Sequence, residues 1–364
     1  MGARLGDARI GVMAGGTGGH VFPALAVAET LRTQGMQVFW IGTERGMESR
    51  LVPQHGFELE HVRIQGLRGK GVAQVLGTPF KLVAALWQAG EILRRRAPSV
   101  VLGMGGFASG PGGLAARALG LPLVIHEQNR IPGMTNQWLA RIATRVFEAF
   151  PGSFPKRRRA IASGNPVRRA IAQLPAPRMR FAGRDGPGRL LVVGGSLGAK
   201  ILNETVPAAL SLIPKDERPR VRHQAGQQTL EVARQAYADT GVAAEVTPFI
   251  SDMAEAYGWA DLVVCRAGAL TVSELAAAGV GSLLVPYPYA VDDHQSANAR
   301  YLTDAGAARL LVQKHLTPEG LAEQLRELLG DRAALLTMAE AARARANPDA
   351  AERIAAACWE LARA

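Results

Sequence analysis

Two stretches of this chain set glycines beside hydroxyls or an imidazole in a way that suits anion binding or proton transfer. They are Gly15-Gly16-Thr17-Gly18-Gly19-His20 and Gly194-Gly195-Ser196-Leu197-Gly198. Each follows an aliphatic run and precedes a helical pattern, so its backbone N–H groups gather at the positive end of a helix dipole, where phosphate binds. Neither matches the dinucleotide spacing of glycines at i, i+2 and i+5. Gly103-Met104-Gly105 with Ala108 fits only a loose form of it, which argues against NAD. The plain alternative for any one loop is a tight turn for close helix–strand packing.

Further reactive groups fall at corresponding places. His20 opens a helix, where the dipole disfavours protonation and keeps the imidazole available as a base. His126-Glu127-Gln128-Asn129 ends another aliphatic run, making Glu127 a second candidate base or, equally, a buried capping group. In the second half, Gly268-Ala269-Leu270-Thr271-Val272-Ser273-Glu274 offers N–H groups and two hydroxyls to a diphosphate. Glu274 there suits the two hydroxyls of a ribose, or merely complements the helix start. Asp292-Asp293-His294-Gln295 reads as a solvated helix start, and no Asp-x-Asp pair elsewhere completes a cation site. We therefore expect no metal and no cofactor.

These groups need strands to carry them. Aliphatic runs at Ile10–Ala14, Val38–Ile41, Val100–Leu102 and Leu123–Ile125 alternate with helical segments. Leu190–Val193, Val246–Phe249, Leu262–Cys265 and Leu283–Val285 repeat the rhythm, as parallel sheets with crossover helices require. The segment near residue 100, VVLGMGGFASGPGGLAARALGLPLVIHE, also echoes VVCRAGALTVSELAAAGVGSLLVPYP near residue 263. The expected fold is α/β, with two doubly wound Rossmann-like domains facing a cleft. A Pro, Gly and Arg-rich stretch from Pro151 to Gly188 places the boundary near Gly164, giving domains 1–164 and 165–348. A bend at Asn347-Pro348 would let the last helix, 349–364, return to the first domain.

Composition narrows the partners. With 364 residues, two domains are the default, and 42 Lys and Arg against 31 Asp and Glu give +11, which favours anionic partners. Aromatic content of 5% argues against a single-strand nucleic-acid binder. Cys265 and Cys358 read as small buried hydrophobes in a reducing compartment. The opening residues, MGARLGDARIGVM, lack a sustained apolar core, and the glycine-rich run Ala97 to Ala116 makes a poor membrane span. No secretory leader and no transmembrane helix are expected. Leu76, Phe80, Val83 and Trp87 recur at helical spacing among Arg68, Lys70, Lys81 and Arg94-Arg95-Arg96. Such a stripe either packs on a core or lies on an anionic membrane surface.

In their order along nearly the whole chain, GGTGGHVFPALA, Leu51-Val52-Pro53-Gln54-His55-Gly56, GLRGKG, VLGMGGFASGPGG, HEQN, GNPVR, VVGGSLGA and CRAGALTVSE resemble the MurG family. That family comprises N-acetylglucosaminyltransferases that make the lipid-linked disaccharide of peptidoglycan. The resemblance implies a GT-B fold and inverting transfer of GlcNAc from UDP-GlcNAc to the muramyl 4-hydroxyl of undecaprenyl-linked lipid I, at the cytoplasmic face of the cell membrane. It implies donor contacts at Thr17, Gly18, Gly19, Asn129, Arg168, Ser196, Ile250, Ala269, Leu270, Thr271, Val272, Ser273, Glu274 and Gln295. The base is then His20 or Glu127, and Leu76, Phe80, Val83 and Trp87 face the membrane. Phe107 stands where many relatives carry tyrosine, so no role of that hydroxyl transfers. Rival readings are a UDP-GlcNAc 2-epimerase-like enzyme and a non-catalytic nucleotide-sugar or lipid-binding protein. Nucleic acid is not an expected partner.

Overall fold

The computed structural model describes residues 8–63, 78–195 and 198–364, and it divides into two compact units. The first holds residues up to Arg168 together with Asn347–Ala364; the second spans Arg169–Ala346.

In the first unit the strands are β1 (Arg9–Met13), β2 (Gln37–Gly42), β3 (Glu58–His61), β4 (Val100–Gly103), β5 (Leu123–Glu127), β6 (Arg145–Glu148) and β7 (Ile161–Ala162). They form one sheet in the order β3-β2-β1-β4-β5-β6-β7, every pair parallel. The central strands are apolar throughout because both faces are covered. Ile10 and Val12 point into one core with the helix Gly18–Thr33, while Met13 points into the other with Ala85, Ala89 and Leu93 of the helix Thr78–Arg96. The final helix, Ala350–Arg363, returns to this unit. Its Ile354, Ala355 and Cys358 are fully buried against the helix Gly18–Thr33, and Glu360 pairs with Arg145 at 2.7 Å.

The second unit carries β8 (Arg189–Val193), β9 (Arg220–Gln224), β10 (Glu245–Thr247), β11 (Leu262–Cys265), β12 (Gly281–Leu284) and β13 (Ala308–Leu310). Its sheet runs β10-β9-β8-β11-β12-β13, again parallel. Both units therefore share the doubly wound order 3-2-1-4-5-6. In each, the strand order reverses beside the first strand, and that reversal point is where open α/β sheets bind ligands.

Glycines allow the close approaches. Gly112 lies under Met13, where a Cβ would stand 2.1 Å from Sδ, so the SGPGG run brings the helix Ser109–Ala118 onto β1. Gly198 plays the same part in the second unit, since a Cβ there would meet the Ala225 carbonyl oxygen at 2.3 Å.

Candidate active site

At the reversal point of the first sheet, the loops after β1 and β4 touch. Gly106, at φ +87°, lies so close to Gly15 that a Cβ would stand 2.4 Å from its carbonyl oxygen. Thr17 caps the helix Gly18–Thr33, and its carbonyl accepts the N–H of His20 at 3.1 Å. The His20 ring is half-buried, with Nδ1 3.5 Å from Thr17 Oγ1 and Cδ2 against Gly105, where a Cβ would come within 2.6 Å. The imidazole is thus walled by the two glycine loops. Gly16 and Thr17 are exposed, and Gly18 and Gly19 are half-buried.

Glu127 closes β5 and is buried. Its carboxylate accepts N–H groups from Asn129 (2.8 Å) and Gly133 (3.1 Å) and from the side chains of Asn136 (2.9 Å) and Asn129 (3.3 Å). Burial pushes its carboxyl above the usual range, against the pull of those four donors. With that donor set, the carboxylate fixes the shape of the loop that carries Asn129. His126 is buried inside the same strand, and desolvation lowers it to about 4; as a neutral ring it donates from Nε2 to the Gly164 carbonyl at 3.0 Å. Arg168 ends this unit with its guanidinium 5.3 Å from the Phe22 ring centre.

At the reversal point of the second sheet, Gly268 caps the helix Ala269–Ala278 in extended conformation. Ala269 and Val272 are buried in that helix, whereas Leu270, Thr271 and Ser273 are half-buried. Ser273 donates to the Ala269 carbonyl at 2.9 Å. Glu274 is only 4% exposed, and the buried Tyr257 hydroxyl donates to it at 3.2 Å. Ile250 donates its N–H to Gln224 Oε1 at 3.0 Å, and Gln295 Oε1 accepts the N–H of Tyr287 at 2.9 Å. Arg266 holds the loop after β12 through the Val285 and Pro286 carbonyls and lies over the Tyr287 ring. Ser196 lies outside the described residues, as do Leu76 and the GLRGKG segment.

Sequence reasoning missed Tyr257, Gln224 and Arg266, which hold Glu274, Ile250 and the Tyr287 loop in place. It also missed Glu48, which is fully buried beneath the first glycine loop. The only sequence signal for Glu48 was its flanking glycines, Gly42 and Gly46. Asp292 and Asp293 are exposed at the start of the helix His294–Thr303. Among the described residues no three His, Cys, Asp or Glu side chains gather as a metal site.

The stripe on the helix Thr78–Arg96 divides between its faces. Ala85, Ala89 and Leu93 pack inward, while Val83 and Trp87 are each 65% exposed. Phe80 sits in the first turn of this helix. Arg94, Arg95 and Arg96 pair with Glu91, Glu60 and Glu58, which reduces the net positive charge at that end. No helix among the described residues is long and apolar enough to cross a membrane.

Residues 10–148 match the glycosyltransferase family 28 N-terminal domain, and residues 189–354 match the family 28 C-terminal domain. A protein of Marinobacter nauticus is 56% identical over 96% of this chain and 97% of its own. One of Nitrosococcus oceani is 57% identical over 97% and 99%. Both are named UDP-N-acetylglucosamine–N-acetylmuramyl-(pentapeptide) pyrophosphoryl-undecaprenol N-acetylglucosamine transferase. Among solved structures, MurG of Acinetobacter baumannii aligns at a TM-score of 0.82 with 44% identity, over 97% of this chain and 99% of that one. Two parallel sheets with interleaved helices, matched along nearly their whole length, give the two-domain GT-B α/β fold. This chain belongs to the MurG family of glycosyltransferases, within glycosyltransferase family 28.

Proposed function

We propose that the chain transfers GlcNAc from UDP-GlcNAc to the muramyl 4-hydroxyl of lipid I, with inversion at the anomeric carbon, to give lipid II for peptidoglycan synthesis. The observation that carries this reading is the near full-length likeness to transferases of that name.

The chemistry needs a base for the acceptor proton and a stabiliser for the departing diphosphate. His20 is the better base of the two candidates, because its half-buried ring stands at the sheet reversal point, whereas Glu127 is engaged by four N–H donors. Glu127 then acts as a positioning residue for Asn129. The N–H groups at Gly268, Ala269 and Leu270, with the Thr271 hydroxyl, suit the diphosphate, and the family resemblance assigns Ser196 and Arg168 to the same ligand. The buried Glu274 suits the ribose hydroxyls, and the Ile250 N–H bond to Gln224 holds its loop ready for a uracil ring. Gly18, Gly19 and Thr17 complete the donor contacts, together with Val272, Ser273 and Gln295.

For the acceptor, exposed Val83 and Trp87 support a peripheral attachment to the anionic cytoplasmic face of the membrane, a role that sequence spacing extends to Leu76 and Phe80. Labelled GlcNAc supplied as UDP-GlcNAc with a lipid I analogue should appear in a lipid-linked disaccharide, with UDP release dependent on the acceptor. Interconversion of the sugar nucleotide without acceptor would favour an epimerase, and tight UDP-GlcNAc binding without turnover a binding protein.

A further inference from the structure

Glu48 starts the helix Glu48–Gln54, a position where glutamate ordinarily faces solvent and complements the dipole. Here it is fully buried. Its Oε2 accepts the N–H of Gly16 at 2.9 Å; its Oε1 accepts the N–H of Thr43 at 2.9 Å and the Thr43 hydroxyl at 2.7 Å. Three glycines make room for it. A Cβ at Gly15, Gly42 or Gly46 would stand 2.4, 2.6 or 2.0 Å from an atom of its side chain. Burying a carboxylate is costly unless hydrogen bonds satisfy it, and here one of those bonds goes to the loop that begins the candidate active site.

We propose that Glu48 is a positioning residue for the transfer reaction: it holds the Gly16 N–H, and through it the Gly15–His20 loop, in the shape the acceptor step requires. Gly16 sits at φ +89°, in the left-handed region, so the turn is fixed by this contact as well as by its glycines. From Gly16 the chain runs directly into Thr17, whose carbonyl and hydroxyl flank His20. The inference rests on the transferase reading above and does not depend on which residue is the base.

Two variants test it by different routes. In Glu48→Gln the amide oxygen can still accept from Thr43, but its NH2 then faces the Gly16 N–H, so the loop contact alone is lost. In Gly46→Ala the charge stays, but the added methyl must displace the carboxylate. In the full-length protein with UDP-GlcNAc and a lipid I analogue, each variant should lower kcat about tenfold to a hundredfold, with a smaller rise in the KM for UDP-GlcNAc through Thr17, Gly18 and Gly19 on the same loop. Amide exchange in the peptide covering residues 13–22 should speed up while the strands keep their protection. Unchanged kcat in both variants would overturn the proposal. So would a fall in kcat accompanied by general loss of protection in the first unit, which marks a folding role only. If His20→Ala keeps full turnover while these variants lose it, the base assignment fails and the positioning role stands.

Discussion

The two sheets have the same strand order, yet their carboxyl edges are braced differently. In the first unit buried carboxylates hold the loops: Glu48 takes Gly16 and Thr43, Glu127 takes Asn129 and Gly133, and Glu148 takes Gly152 and Phe154 at 2.6 and 2.9 Å. In the second unit the corresponding braces are amides: Gln224 holds Ile250, Gln295 holds Tyr287, and Asn203 reaches the carbonyls of Ala225 and Thr229. Asp261 is buried in that unit too, but it precedes β11 at the opposite edge, where it pairs with Arg184. The amide braces fit the diphosphate proposed for the second edge. A fixed negative charge about 6 Å from a diphosphate costs roughly 3 kcal/mol per charge pair at an effective dielectric near 20. Amides brace the donor loops without that repulsion. At the first edge the carboxylates accept stronger, charge-assisted bonds from the loop N–H groups.

This contrast makes Glu274 the exception, and it can be broken by mutation. The largest effect is expected on the acceptor side. His20→Ala should lower kcat by about a hundredfold or more, the usual range for removing a general base, with the KM for UDP-GlcNAc little changed. Glu127→Gln should fall short of that and raise the KM for UDP-GlcNAc, because it loosens the loop that carries Asn129. If both variants turn over normally at saturating substrate, neither residue is the base. On the donor side, Glu274→Ala should weaken UDP binding about tenfold to a hundredfold in calorimetry, the loss of one or two charge-assisted hydrogen bonds at ~1.5 kcal/mol each. Tyr257→Phe should weaken it only a few-fold, since it loosens Glu274 without removing it. Equal effects on UDP and on thiamine-type diphosphates lacking a matching ribose would detach Glu274 from the sugar.

A third test treats the units evenly. His126 in the first and His223 in the second are buried neutral, held down by desolvation to about 4 and about 3. Their depressed values mean that the unfolded chain binds protons the folded chain refuses. Stability is then whole above pH 6.5 and falls as the pH drops from 6.5 toward 4 for His126 and toward 3 for His223. At pH 5 the loss should reach ~2 kcal/mol per histidine as an upper bound. Thermal melts at pH 7 and 5 read it, and His223→Gln should flatten the slope contributed by the second unit; an unchanged slope would show that another group carries the acid sensitivity. The smallest effect is expected at the surface. Trp87→Glu should weaken binding to anionic vesicles by about tenfold and leave UDP binding intact, because an apolar side chain leaves the lipid interface. Equal loss of both would mark a folding defect.

Much of this architecture was legible from the apolar runs. The strands at Ile10, Val38, Val100, Leu123, Leu190, Leu262 and Leu283 stand out because their cores are buried on both faces, whereas the edge strand at Val246 is only half-buried. β3 reads ELEH, β6 RVFE and β9 RVRHQ, so charges hide their extended character. Those charges are explained by position: Glu58 and Glu60 of the edge strand β3 pair with Arg96, and Arg222 of β9 pairs with Glu245 and Glu255. Candidate ligand residues were legible because glycine loops advertise them. Their supports were not, since Glu48, Tyr257 and Gln224 come from other elements, and only the fold brings them near.

The return of the helix Ala350–Arg363 to the first unit sets an order of assembly during synthesis. Ile354 and Cys358 belong to the same core as Ile10 and Val12, so that core is complete only once the chain beyond Ala346 has been made. The second unit, continuous from Arg169 to Ala346, has all its strands in hand earlier and can fold as a unit while translation proceeds. The nascent chain therefore gains a finished second unit ahead of a finished first one.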